Sequence, residues 1–114
     1  MNESDEVTFT EGSGNVFADL DLENPEELQA RAQVSFIIRE IIRQRRLTQT
    51  QAARILGIDQ PKVSALVRGR LAGFSMDRLL GYLVALGQDV RISVEPAETS
   101  EPHGRVHVVA AGSR

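Results

Sequence analysis

Residues 47–69, LTQTQAARILGIDQPKVSALVRG, contain the start and stop signals of two short helices. Thr48 stands where an N-cap belongs, and Gln51 follows three residues later. This is the spacing of a capping box, in which two otherwise unpaired backbone N–H groups are satisfied. Gly57 can adopt the left-handed conformation that ends a helix, and Ile58 is expected to turn inward. The first helix therefore begins at about residue 49 and ends at the glycine.

A second helix follows the glycine turn directly. Asp59 or Gln60 begins it, and Pro61 is tolerated because first-turn amides have no intrahelical partner. Gly69 ends it. Two helices of this size joined by a tight turn form a helix-turn-helix, which places its second helix in the major groove of DNA.

The side chains of the two helices agree with that interpretation. Their apolar positions, which we expect to be buried, are Ala52, Ala53, Leu56, Val63, Leu66 and Val67. The remaining faces carry hydrogen-bonding rather than acidic groups, namely Gln49, Gln60, Lys62, Ser64 and Arg68. An ordinary helical hairpin is the alternative, but the alanines at the helix crossing and the polar surface favour the DNA-binding motif.

A longer helix is predicted before the motif. Asn24 is its N-cap, Pro25 its first residue, and it runs to about Arg46. Its apolar positions at helical spacing are Leu28, Val34, Ile37, Ile38, Ile41 and Ile42. Arginines cover the rest of its surface, at positions 39, 43, 45 and 46. We expect Arg45 and Arg46, which lie close to the turn into the motif, to contact DNA phosphates.

A fourth helix and a strand are predicted after the motif. Ser75 caps a helix through Leu86, which Gly87 ends; its apolar positions are Met76, Leu79, Leu80, Leu83 and Val84. Residues 89–95 alternate between apolar and polar side chains, as a half-buried strand does, and Val90, Ile92 and Val94 share one face. The strand needs a partner, either residues 106–109 in a hairpin or the same strand of a second subunit. We favour the second, because a two-fold dimer matches a palindromic operator.

Composition narrows the class of protein. The chain has 114 residues, enough for one small domain, and no cysteine, which excludes disulfides and thiolate metal sites. The N-terminus lacks the basic and apolar regions of a signal peptide, so we expect a cytoplasmic protein. Both histidines, His103 and His107, lie in the C-terminal tail, and no set of residues resembles a catalytic site. We therefore expect no enzyme activity, cofactor or metal.

The formal net charge of −3 conceals a strong segregation of sign. Residues 1–28 carry nine acidic side chains and no Lys or Arg, whereas residues 29–94 carry eleven basic and four acidic side chains. This asymmetry predicts a basic DNA-binding body with an acidic arm. The predicted organisation is an acidic, flexible arm at 1–23, a DNA-binding domain at 24–95 and a flexible tail at 96–114. An apolar patch in the arm, Val16, Phe17 and Leu20, is expected to dock on the domain or on another protein.

The motif resembles that of the lambda-repressor-like, or XRE-type, family, with the pattern L-x-Q-x-x-x-A-x-x-x-G-x-x-x-x-x-V-S-x-x-x-x-G. The wider stretch from about residue 24 to 94, including GRLAGFSMDRLLGYLVALGQDV, is similar to the shorter HigA-type antitoxins. The resemblance implies an all-α domain of four to five helices, here with a C-terminal strand that pairs across a dimer. It also implies DNA binding and repression of the protein's own operon.

The resemblance implies roles for individual residues. Gln49 would bond a phosphate and steady Gln60 at the first base-reading position, where an amide suits adenine. Lys62 would reach a guanine edge or a phosphate, and Arg68 and Arg70 would hold phosphates. The residues expected to contact DNA are Arg46, Thr48, Gln49, Gln60, Pro61, Lys62, Ser64, Ala65, Arg68 and Arg70.

Two functions fit the sequence. In the first, the chain is the antitoxin of a type II toxin–antitoxin pair, and the acidic arm with Val16, Phe17 and Leu20 neutralises a small basic RNase-type toxin. In the second, it is a stand-alone XRE-type repressor without a toxin, and the arm serves only solubility or competes with DNA for the basic face.

Overall fold

A computed structural model of the protein describes residues 24–97 and 104–110. Within those ranges the chain forms four helices and no β-strand: α1 (Asn24–Gln44), α2 (Gln49–Leu56), α3 (Gln60–Val67) and α4 (Met76–Ala85). No helix in these ranges is both long and apolar enough to cross a membrane. The predicted helical architecture is confirmed.

The predicted starts of the last three helices are confirmed by side-chain caps. Thr48 Oγ1 accepts a hydrogen bond from the Gln51 amide at 3.0 Å, and the Gln51 side chain accepts one from the Thr48 amide at 2.8 Å. Asp59 accepts from the Lys62 amide at 2.9 Å, and Ser75 accepts from the Arg78 amide at 3.2 Å. Each cap satisfies a first-turn N–H that has no partner inside its helix.

Two helices end slightly earlier than the sequence predicts. α1 ends at Gln44 rather than about Arg46, and α4 ends at Ala85 rather than Leu86. In each case the chain leaves the helix through a left-handed residue, Arg46 or Gly87. The residues just before that exit are helix-like but lie outside the regular hydrogen-bond pattern, where boundary assignments vary by one or two residues.

All four helices contribute to one aliphatic core. Its largest fully buried side chains are Ile38, Val63, Leu66, Met76 and Leu79. Ala52 of α2 is also completely buried, so its small side chain lets α2 and α3 cross closely. The burial predicted for Ala52 is therefore confirmed, whereas Ala53 is only partly buried.

Two of the apolar positions that define the predicted helices α1 and α4 are exposed. Leu28 is 50% exposed because α1 buries a stripe that starts at Ala30, and Leu28 lies about 160° around the helix from Ala30. Val84 is 60% exposed, since it lies about 140° around α4 from the buried Leu79. Tyr82 takes the inward position, where its ring meets Phe74 edge to face at 6.2 Å.

Two arginines of α1 tie the helix to distant backbone. The Arg31 guanidinium donates to the carbonyl oxygens of Leu71 at 3.1 Å and Phe74 at 2.8 Å, which lie in the loop between α3 and α4. The Arg45 guanidinium donates to the Leu86 carbonyl at 3.0 Å, just after α4. These bonds hold α1 against both ends of α4 and satisfy carbonyls that no helix ladder uses.

The C-terminal segments lie against the domain without pairing as strands in the described residues. Val90, Val106 and Val108 are partly buried on the core, whereas Ile92 is 64% and Val94 is 91% exposed. The strand expected at residues 89–95 is therefore not formed within the ranges 88–97 and 104–110 of a single chain. Its pairing across a dimer stays a prediction.

Candidate nucleic-acid interface

The exposed side of α3 is the centre of the candidate interface. Val63 and Leu66 are its only buried side chains, and they face the core on one side of the helix. At 100° per residue, Gln60, Ser64, Pro61 and Ala65 span an arc of about 140° on the opposite side. Gln60 and Pro61 are exposed, and Ser64 and Ala65 are half-buried. This arc presents one amide, one hydroxyl and two apolar groups to solvent.

Lys62 lies apart from that arc. It lines a shallow groove between α2, α3 and α4 together with Arg54 of α2 and Arg78 of α4, and the groove also contains Thr50, Ala53, Gly57, Ile58 and Asp59. The acidic Asp59 already caps α3 through the Lys62 amide. The flank of the recognition helix is therefore basic.

Arg54 and Arg78 were not among the residues that the sequence pattern pointed to. Arg54 lies in the last turn of α2, and Arg78 lies in the first turn of α4, 24 positions away in the chain. Only the packing of α4 beside the motif brings the two guanidinium groups into one groove with Lys62. A basic residue on a helix surface is too common for the sequence alone to single either out.

The remaining expected contacts lie at the ends of the motif. Gln49 is exposed as the first residue of α2, directly after Thr48, whose hydroxyl oxygen accepts the capping bond. Arg68 and Arg70 are exposed where the chain leaves α3. The amide nitrogens at the start of a helix and its dipole favour anions, so Gln49 stands at a suitable place for a phosphate.

The arginines of α1 differ in what they contact. Arg43 donates a 2.7 Å hydrogen bond to Glu40, which lowers the pKa of that carboxyl below its usual value, and Arg39 lies 3.7 Å from the same carboxylate. Arg39 also stacks over the Phe36 ring at 4.8 Å. Arg45 donates to the Leu86 carbonyl, so part of its guanidinium is engaged in the fold, and the phosphate contact expected of it stays a prediction. Arg46 is exposed and has no ion pair or hydrogen bond from its side chain among the described residues.

The remaining expectations concern partner binding, dimerisation and metal. The patch of Val16, Phe17 and Leu20 lies outside the described residues. Of the predicted dimer contacts, Val90 packs partly on the core, and Ile92 and Val94 face solvent. Residues 24–97 and 104–110 contain no group of three or more His, Cys, Asp or Glu side chains that could hold a metal ion.

A family model and a solved structure both assign this chain to helix-turn-helix proteins. A family model described as a helix-turn-helix domain matches residues 16–95, which is most of the chain. A solved structure assigned as an XRE family transcriptional regulator has 43% identity and a TM-score of 0.73; the match covers 78% of this chain and all of that one. No curated protein matches the chain. Together with the capped helix pair and the polar face of α3, these matches show that the chain belongs to the XRE family of helix-turn-helix transcriptional regulators.

Proposed function

We propose that this regulator binds a palindromic operator as a two-fold dimer, places α3 of each subunit in the major groove and represses transcription, including that of its own operon. The observation that carries the proposal is the exposed arc of α3, held by caps at both ends and flanked by basic side chains without ion pairs in the described residues. A helix presented in this way can enter the groove without first breaking intramolecular contacts.

Base recognition would come from the arc itself. The Gln60 amide can donate to N7 of adenine and accept from its N6 amino group. The Ser64 hydroxyl can donate to or accept from any base edge in the major groove. Pro61 and Ala65 offer only apolar contact, for example to a thymine methyl. So few polar groups per half-site imply that DNA shape contributes to specificity as well.

Phosphate contacts would surround the arc. Gln49 and the capped turn at Thr48 lie at one end of the motif, and Arg68 and Arg70 lie at the other. Lys62 was expected at either a guanine edge or a phosphate; its place in the groove with Arg54 and Arg78 supports the phosphate. Such contacts position the protein without reading sequence.

Dimerisation would use the segment after α4. Ile92 and Val94 are apolar side chains left largely in solvent, which supports an antiparallel pairing of residues 89–95 with the same segment of a second subunit. The pairing would bury both side chains, satisfy the strand's backbone groups and set the two recognition helices at a fixed separation.

A finer proposal concerns the partner. The acidic N-terminal segment, with Val16, Phe17 and Leu20, has the chemistry to cover a small basic RNase-type toxin, so we propose that the protein is the antitoxin of a type II toxin–antitoxin pair. The alternative is a stand-alone repressor. One observation favours it: the family match begins at residue 16 and so includes the apolar patch, as it would if the patch packed on its own domain.

Footprinting on the upstream region of the protein's own gene tests the DNA-binding proposal. We expect a symmetric protected site. If the dimer neutralises about six phosphates, binding should fall by roughly 10³-fold between 50 and 200 mM salt. Protection that does not depend on sequence, or a single half-site bound by a monomer, would contradict the proposal.

Co-purification with the product of the adjacent gene separates the two finer functions. The full-length chain is compared with Phe17→Asp and Leu20→Asp variants. Capture of a small basic protein that is lost in these variants supports the antitoxin. Sequence-specific DNA binding without any captured partner supports the stand-alone repressor.

A further inference from the structure

The four described helices all end with the same backbone turn. In each, an amide donates to the carbonyl five residues earlier: Leu47 to Ile42 at 3.0 Å, Ile58 to Ala53 at 3.1 Å, Arg70 to Ala65 at 2.9 Å, and Gln88 to Leu83 at 2.9 Å. This bond closes the Schellman type of helix end, which requires a left-handed residue immediately before the donor.

Three of the four left-handed positions are glycines and the fourth is Arg46. The φ angles are 73° at Gly57, 79° at Gly69, 87° at Gly87 and 57° at Arg46. Glycine adopts this conformation without a steric penalty, whereas a side chain brings its Cβ close to the backbone. Arg46 is the only non-glycine residue with positive φ in the described part of the chain. The protein therefore places a strained residue where its other helices use glycine.

Within the described residues, the Arg46 side chain makes no hydrogen bond or ion pair. The Arg46 amide closes the turn by donating to the Arg43 carbonyl at 3.0 Å, a bond that glycine would make equally well. Its guanidinium is exposed and unpaired among the described residues, whereas the guanidinium of Arg45 is bonded within the fold. A strained residue whose side chain bonds to none of the described residues points to a role in binding another molecule.

The position of Arg46 indicates what that role is. It lies two residues before Thr48, the cap of α2, and three before Gln49, so its side chain projects from the turn that leads into the motif. A planar guanidinium beside the positive end of a helix adds to an existing anion site and suits phosphate oxygens.

We propose that Arg46 is a phosphate-positioning residue which the protein retains at the cost of conformational strain, so that a glycine here would stabilise the fold and weaken DNA binding. The proposal rests on the proposed function, because it assumes that the flank of α2 meets the DNA backbone. It differs from the other expected phosphate contacts in predicting opposite changes in stability and affinity from one substitution.

The test compares full-length Arg46→Gly, Arg46→Lys and the matched control Arg43→Gly, by thermal unfolding and by operator binding at several salt concentrations. Arg43 lies within α1, is paired with Glu40 and has right-handed helical geometry, so its replacement removes the same charge without relieving strain. For Arg46→Gly we expect the melting temperature to rise by about 2–5 °C, even after allowing for the backbone entropy that glycine loses on folding. We expect operator affinity to fall about tenfold and the salt slope of the dimer to decrease by about 1.8, the value for two lost phosphate contacts.

The controls are expected to behave differently. Arg46→Lys should keep the salt slope and gain no stability, and Arg43→Gly should lower the melting temperature and leave the slope unchanged. An Arg46→Gly protein that melts no higher than the original, or that keeps the original salt slope, overturns the inference. Failure of the unmodified protein to bind any DNA would instead overturn the proposed function.

Discussion

Gln60 and Arg68 are both exposed on α3, but they are suited to different parts of the DNA. Gln60 stands in the first turn, and its amide both donates and accepts, as recognition of one adenine edge requires. Arg68 stands at the C-cap, where a guanidinium on a flexible side chain meets the phosphate backbone whatever the sequence. Discrimination between bases and overall affinity are therefore expected to depend on different side chains of one short helix.

Gln60→Ala should flatten the preference at one base pair by about 1–3 kcal/mol and leave binding to unrelated DNA unchanged. Arg68→Ala should weaken binding to specific and unrelated sequences alike and reduce the salt slope by about 1 per subunit. Competition binding against a set of single-base operator variants measures both effects. An Arg68→Ala protein with an unchanged footprint and salt slope would show that Arg68 does not contact phosphate.

Helix α2 depends on its cap for stability. The helix has eight residues, too few to be stable alone, and its first turn is secured by the reciprocal bonds between Thr48 and Gln51. We expect Thr48→Ala to lower the free energy of unfolding by about 1 kcal/mol. Thr50→Ala is the control, because Thr50 is exposed on the same helix and makes no cap, so its replacement should change stability by less than about 0.5 kcal/mol. Equal losses in urea unfolding would mean that the cap contributes nothing.

The motif was also the part most readily predicted from sequence, for a physical reason. Caps and glycine exits are local: Thr48 with Gln51, Gly57 and Asp59 each satisfy backbone groups a few residues away. Long-range features could not be predicted in this way. The bonds of Arg31 to the loop carbonyls, the groove joining Arg54 to Arg78 and the exposure of Leu28 all depend on how α1 and α4 pack. The left-handed conformation of Arg46 could not be predicted from its residue type either, because arginine rarely adopts it and the other three helices end at glycine.

The core shared by the four helices is small and mostly aliphatic, so each fully buried side chain contributes measurably to stability. Leu66→Ala should lower the free energy of unfolding by about 2–5 kcal/mol, because Leu66 lies on the core side of α3 and is completely buried. Leu28→Ala makes the same chemical change at a half-exposed position of α1 and should lower it by less than about 1 kcal/mol. Chemical unfolding of the two variants side by side gives the comparison. A small loss for Leu66→Ala would contradict a core shared by all four helices.

The proposed dimer can be tested by substitution in the segment after α4. Ile92→Asp places a charge on the exposed apolar face expected to meet a second subunit and should shift the protein from dimer to monomer in sedimentation. Ser93→Asp adds the same charge one residue later, on the opposite face of an extended segment, and should leave the dimer intact. A dimer that survives Ile92→Asp must be built on another surface.

The small number of α3 side chains that are fully buried has a consequence for how such a regulator evolves. Val63 and Leu66 are the fully buried side chains of the helix, Ala65 and Val67 pack partly against the core, and caps fix its two ends. The other surface positions can therefore mutate with little penalty to folding. Duplicated copies of the gene could diverge toward new operators by a few substitutions while keeping the same scaffold. Selection on such copies would then be limited by cross-talk between their binding sites rather than by the stability of the protein.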